Sequence, residues 1–224
     1  MIDAVIFDLD GVILDTEELW NEVREELARE RGGRWSDRAQ ADMMGMSSKE
    51  WSRYMHEAVG VPDPPEEINR EVVRRMLDRY SEQLPLIDGG VDAVKRMAAH
   101  WPLGLASSSN RELIERALEV SGLAPYFRVT VSSEEVERGK PAPDVYLEAA
   151  RGVAVEPSRC AAIEDSASGI RSAHAAGMLV VAIPNRAFPP PPDVLALANL
   201  VLDTIRELEP ELLVATRGSS RPAP

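Results

Sequence analysis

The chain has little of what thiol and zinc chemistry require. Its 224 residues include a single cysteine, Cys160, and three histidines, His56, His100 and His174, scattered along the sequence. One thiol excludes an intramolecular disulfide and suits a reducing cytoplasm, and without clustered thiol and imidazole ligands zinc is discounted. Cys160 lies in an apolar stretch, where a buried thiol is expected rather than a nucleophile. Positive charge is scarce as well: 25 Lys and Arg stand against 38 Asp and Glu, a formal net charge of -13. That balance repels polyanions, so nucleic acid is excluded as a partner, although a local cationic pocket is allowed. No apolar run approaches the length of a membrane span, and the opening residues lack a basic region followed by an apolar signal core. The expected protein is soluble and cytoplasmic, with no membrane partner, and acts as a monomer. What the chain does have is 44% hydrophobic residues, enough for one well-buried core and a smaller second domain.

The first apolar run, Ala4 to Phe7, has no helical period and reads as a strand buried on both faces. It ends in Asp8-Leu9-Asp10-Gly11, where Gly11 permits a sharp exit. From Thr16 the pattern turns helical: Leu19, Trp20, Val23 and Leu27 share a face, Thr16 is the expected N-cap, and Glu17 and Glu18 fill the first turn. This helix is expected to end near Gly32-Gly33, followed by one or two helices in 37–59 capped at Ser47 or Ser48, and another from Pro65 to Gln83. After Pro85, helices and apolar strands alternate. Strands are predicted at Leu103–Ala106, Arg128–Val131, Cys160–Ile163, Leu179–Ile183 and Asn199–Leu202. Helices are predicted at Gly89–Ala99, Asn110–Ser121, after Pro143, and at Ser168–Ala176. Such alternation signals a parallel sheet. The expected fold is therefore α/β, a Rossmann-like parallel sheet flanked by helices, built from 1–15 and 86–217, with an all-helical cap domain, 16–85, inserted after the first strand. Pro189 to Pro192 reads as a stiff loop and 218–224 as a flexible tail.

Chemistry-bearing residues follow the strand ends. In open α/β sheets the carboxyl ends of the strands are where ligands bind. Asp8 and Asp10 emerge together from the first strand, and two like charges so close call for a cation that takes oxygen ligands, for which Mg²⁺ is the expectation. A plain turn pair is the competing reading. Ser107 opens Ser107-Ser108-Ser109-Asn110, which is either an ordinary helix cap, with Asn110 capping, or a phosphate site of hydroxyls and free amides. Lys140 sits between the rigid turns of Gly139-Lys140-Pro141-Ala142-Pro143. Glu164-Asp165-Ser166 places a second acidic pair at a strand terminus. Two such pairs on one sheet edge are hard to explain as turns alone.

In this order and spacing, Asp8-Leu9-Asp10-Gly11-Val12, Ser107, Gly139-Lys140-Pro141 and Glu164-Asp165-Ser166-Ala167-Ser168-Gly169 resemble the haloacid dehalogenase superfamily of phosphotransferases. The similarity runs through nearly the whole chain, and the helical insert resembles the cap of its phosphoglucomutase and phosphatase members. The resemblance implies that Asp8 attacks phosphorus and becomes an aspartyl phosphate, and that Asp10 protonates the leaving oxygen and then activates water. It implies an Mg²⁺ site at Asp8, the Asp10 carbonyl, Glu164 and Asp165. Ser107, the Ser108 amide and Lys140 would hold the phosphoryl oxygens.

Within the family, an aspartate at position 10 points to phosphate esters, because the dehalogenase and phosphonatase branches lack an acid there and the ATPase branch carries threonine. The expected reaction is Mg²⁺-dependent hydrolysis of a small phosphomonoester, such as a sugar phosphate. A β-phosphoglucomutase-like mutase is the alternative. Trp20 stands where those mutases have histidine, which favours the phosphatase, while Lys49 could hold a second phosphate in the cap. The candidate substrate contacts are Glu17, Trp20, Gly45, Ser47, Lys49 and Asn110, with core packing the stronger reading for Trp20. A phospho-accepting receiver module is the competing class. There, however, the lysine follows the last strand, whereas Lys140 precedes Glu164 and Asp165.

Overall fold

The computed structural model describes residues 1–36, 38–43, 46–186 and 188–219. Six parallel strands form one sheet in the order β3-β2-β1-β4-β5-β6: β1 Ala4–Phe7, β2 Leu103–Ser107, β3 Phe127–Ser132, β4 Cys160–Glu164, β5 Leu179–Ala182 and β6 Leu200–Val201. The first strand is central because it is apolar on both faces. Val5 and Phe7 point into a core shared with α5 (Gly90–Ala98) and α6 (Arg111–Ser121), and Ala4 and Ile6 into one shared with α7 (Asp144–Val153) and α8 (Ala167–Ala175). Its neighbours pair Phe7 with Leu105 on one side and with Ile163 on the other. The strand order reverses direction at β1, so the carboxyl ends of β1, β2 and β4 open onto one rim.

The helical segment between β1 and α5 contains α1 (Glu17–Glu30), α2 (Ala39–Met43), α3 (Ser48–Tyr54, continued by a π-helical turn Met55–Val59) and α4 (Pro65–Glu82). Its apolar residues, among them Val23, Leu27, Trp51, Met55, Val72 and Met76, are buried and continuous with the core under the sheet. Both passages between this segment and the sheet run side by side. Leu14 bridges Leu86, and the Asp15 and Ile87 amides donate to the Pro85 and Ile13 carbonyls at 2.8 and 2.9 Å. Among the described residues no helix is long and apolar enough to cross a membrane.

Three local expectations need correction. Thr16 precedes α1, but its side chain does not cap the helix because the hydroxyl is committed to Asp10. Asn110 precedes α6, and its side chain also bonds elsewhere. The end of the chain is more helical than expected: α9 spans Pro192–Leu195, since proline is well suited to a first helical turn, and α10 spans Pro210–Ser219. Residues 218 and 219 therefore belong to a helix, and the rest of the expected tail lies outside the described residues. Ser47 does cap α3, with the Glu50 carboxylate accepting from its amide at 2.8 Å and its hydroxyl at 2.7 Å.

Candidate active site

Asp8 leaves β1 with its amide donating to the Ile163 carbonyl at 3.0 Å, which sets its side chain beside the end of β4. Its Oδ1 accepts from Lys140 Nζ at 2.8 Å, and the same ammonium donates to Glu164 Oε1 at 2.6 Å. All three side chains are buried. Glu164 is further held by the Tyr146 hydroxyl at 2.8 Å on Oε1, and on Oε2 by the Asp165 amide at 3.0 Å and the amide and hydroxyl of Ser166. It is the anchor of the cluster, with both oxygens in use. Gly169 in α8 allows this, because a Cβ there would overlap the Glu164 carboxylate. Gly11 does the same for Asp165: it turns the chain with φ +80°, and a Cβ would overlap Asp165 Oδ2.

Electrostatics follow from that geometry. Burial pushes the Asp8 carboxyl up to about 8, opposed by Lys140 and reinforced by Glu164 and Asp10. Burial together with Glu164 and Asp8 holds Asp165 well above the usual carboxylate range. For Lys140, burial alone would lower the ammonium, but Asp8 and Glu164 outweigh it and the group is raised. Oxygens of Asp8, Glu164 and Asp165 lie within 4.8 Å of one another, so three carboxylates share one ammonium. The excess negative charge and the all-oxygen donor set fit a hard divalent cation.

Asp10 faces the same cavity but is held apart from that cluster. Its Oδ1 accepts from Thr16 Oγ1 at 2.5 Å and its Oδ2 from Ser109 Oγ at 2.6 Å. Its side chain is therefore not part of the carboxylate cluster, as direct metal ligation would require. Ser107 is fully buried behind the cavity wall, its hydroxyl accepting the Ser109 amide at 3.0 Å. Ser108 and Ser109 line the cavity instead, and the Ser108 hydroxyl is buried without a hydrogen-bond partner.

Asp8, Asp10, Lys140 and Asp165 all line this cavity, whose volume is about 60 Å³, and the helical segment roofs it with Glu17, Trp20, Met43, Met46 and Trp51. A model of the haloacid dehalogenase-like hydrolase family matches residues 5–183. The chain belongs to this family. Fructose-1-phosphate phosphatase YqaB of Escherichia coli (strain K12) is 33% identical over 178 residues, covering 78% of this chain and 93% of the relative. The bifunctional riboflavin kinase/FMN phosphatase of Arabidopsis thaliana is 30% identical over 184 residues, and the match spans 81% of this chain but 48% of that longer protein. A crystal structure of β-phosphoglucomutase from Clostridium difficile superposes with TM-score 0.84 at 25% identity, covering 97% of this chain and 98% of that one.

The haloacid dehalogenase-like arrangement brings together some of the sequence candidates in the helical segment and not others. Glu17 lines the cavity, its carboxylate accepting from Gln40 Nε2 at 3.0 Å, and burial raises it. Trp20 lines the cavity and also packs on Trp51, with ring centroids 5.9 Å apart. Lys49 is exposed and off the cavity wall. Ser47 is spent on its cap beside Gly139. Asn110 bridges outward, its Nδ2 donating to Asn69 at 3.1 Å and Glu134 at 2.8 Å. Gly45 lies outside the described residues. Sequence reasoning missed Thr16 and Ser109 as partners of Asp10, Tyr146 as a partner of Glu164, and Arg24. For Arg24 the signal was present: it lies one turn beyond Trp20, a charge on an apolar stripe.

Proposed function

We propose that this chain is a Mg²⁺-dependent phosphomonoesterase of the cytoplasm that hydrolyses a small phosphorylated metabolite through an aspartyl-phosphate intermediate. The observation that carries the reading is the pairing of Asp8, held by Lys140, with Asp10, held by Thr16 and Ser109, on one cavity. Asp8 attacks phosphorus with the carboxylate oxygen that Lys140 leaves free, and the bond from phosphorus to the ester oxygen breaks. Asp10 gives that oxygen its proton. Asp10 then takes a proton from a water molecule that attacks the phosphoryl group, the acyl phosphate bond breaks, and Asp8 and inorganic phosphate are restored. Lys140 neutralises, and Ser108 hydrogen-bonds, the phosphoryl oxygens as charge shifts onto them. Asp8, Asp165 and the Asp10 carbonyl would hold Mg²⁺, with Glu164 positioning Lys140 beside them. When bound, the ion masks the phosphate charge that would otherwise repel an attacking carboxylate.

Hydrolysis is favoured over the mutase reading by Trp20, which occupies the position of the mutases' histidine, and by Lys49, which stays off the cavity wall. The test is phosphate release from p-nitrophenyl phosphate and glucose 1-phosphate with Mg²⁺, with chelator, and with Asp8→Asn. Turnover should need the ion and Asp8, while the variant keeps the wild-type circular dichroism. Hydrolysis by Asp8→Asn or in chelator overturns the mechanism, and efficient formation of glucose 6-phosphate overturns the choice of reaction.

A further inference from the structure

Arg24 is 5% exposed, yet it has no carboxylate within ion-pair distance among the described residues. Its guanidinium carbon sits 4.4 Å from the centroid of one Trp20 ring and 4.7 Å from that of Trp51. The two indoles cover apolar and cationic surface, leaving the in-plane N–H donors as the group's free edge. Of those donors, Nη1 reaches Gln40 Oε1 at the long distance of 3.5 Å, and Nε has no partner at all. The residue lines the same cavity as Asp8, Asp10 and Lys140. Burial lowers its pKa to about 10, with Glu17 and Asp10 opposing, so it is still a cation at neutral pH.

An unpaired buried cation is costly unless something anionic arrives to meet it. Its planar fork matches the two oxygens of a carboxylate or a phosphate. We propose that Arg24 is a specificity-determining residue that binds a second acidic group on the leaving alcohol of the substrate, so that the preferred substrates are short phosphomonoesters carrying an additional carboxylate or phosphate. This deepens the phosphatase reading and rests on it. The small volume of the cavity, about 60 Å³, suits a chain of only a few atoms between the two acidic groups. Gln40 holds Arg24 and Glu17 in place from outside the cavity wall, since it bonds both.

Three compounds of equal length separate the possibilities: propyl phosphate, the phosphate ester of 3-hydroxypropionic acid, and propane-1,3-diol bisphosphate, with p-nitrophenyl phosphate as the activity control. The wild type should favour one or both acidic compounds over propyl phosphate by at least about 30-fold in kcat/KM. Which of them wins identifies carboxylate or phosphate as the natural group. In Arg24→Met, which keeps an apolar stem against the indoles, that preference should disappear. Arg24→Lys, which keeps the charge without the fork, should retain part of it. A wild type that turns over the control without any preference for an acidic compound overturns the inference alone. So does an Arg24→Met variant that keeps the preference, or loses rate equally on all four compounds as a structural residue would. A wild type that hydrolyses none of the four overturns the phosphatase reading and this inference together.

Discussion

Replacing Lys140 with methionine removes one positive charge from between two buried carboxylates while keeping the side-chain volume. In the wild type the ammonium lies 2.8 Å from Asp8 and 2.6 Å from Glu164, and its side chain is 1% exposed. Removing one partner of a buried ion pair costs about 3–5 kcal/mol, because the remaining charge loses its compensation. For a chain of this length each kcal/mol lowers Tm by about 2–4 °C, so Lys140→Met should melt about 6–20 °C earlier in metal-free buffer at pH 8. The pH dependence has a definite sign. Lys140 is raised in the folded state, so its contribution is complete below the lysine value of about 10.4 and is lost only at higher pH. Asp8 is raised to about 8 even with Lys140 beside it. Without the ammonium, Asp8 keeps a proton that the unfolded chain releases above about pH 4, so stability falls as pH rises, by about 1.4 kcal/mol per pH unit. The deficit of the variant should therefore be small at pH 5 and large at pH 8. Thermal unfolding followed by circular dichroism in chelator at both pH values measures it. A shift under about 2 °C at pH 8, or a deficit larger in acid, would refute the electrostatic account of the cluster.

Two further outcomes follow from close approach and from burial. Gly169→Ala should destabilise the protein by at least about 2 kcal/mol in urea unfolding, because the new Cβ overlaps the Glu164 carboxylate that anchors Lys140. Helix propensity alone predicts a gain of about 1 kcal/mol, so a stabilised variant would show that Glu164 is free to move aside. The Cys160 thiol is buried and pushed up to about 12 by desolvation, with Asp3 and Glu156 adding to the rise. Ellman's reagent at pH 8 should leave it unmodified in the native protein and titrate one equivalent after denaturation. Rapid native labelling would contradict its burial.

Strands and site were legible in the sequence to different depths. β1, β2, β4 and β5 announced themselves as short apolar runs, and β1 and β4 lead directly into Asp8 and Asp165, which line the cavity. What was hidden is which oxygen meets which donor. Thr16 and Asn110 have the residue type and position of helix caps, and nothing local reveals that a carboxylate on another segment takes the Thr16 hydroxyl while Asn110 spans to Glu134. Ser107 directly follows the predicted strand, but the last residue of β2 points inward, and the next two hydroxyls reach the cavity. Glu164 and Asp165 are adjacent in sequence yet differ in task, because Tyr146 and two amides absorb the first and Gly11 makes room for the second. Lys49 and Arg24 show the converse: a cation on the exposed face of α3 stays in solvent, and one on the apolar stripe of α1 is carried inward.

The strand that is first in the chain is also the middle of the sheet, and this governs the order in which a ribosome can deliver the enzyme. One flank of β1 is supplied by Leu103–Ser107 and the other by Cys160–Glu164, and the lysine that meets Asp8 follows it by 132 positions. Until Lys140 and Glu164 have emerged, Asp8 lacks the partners that hold it in the folded cluster. A nascent chain therefore presents β1 without sheet partners until Leu103–Ser107 has been made, and without the acidic pair that completes the cluster until Glu164 and Asp165 have followed.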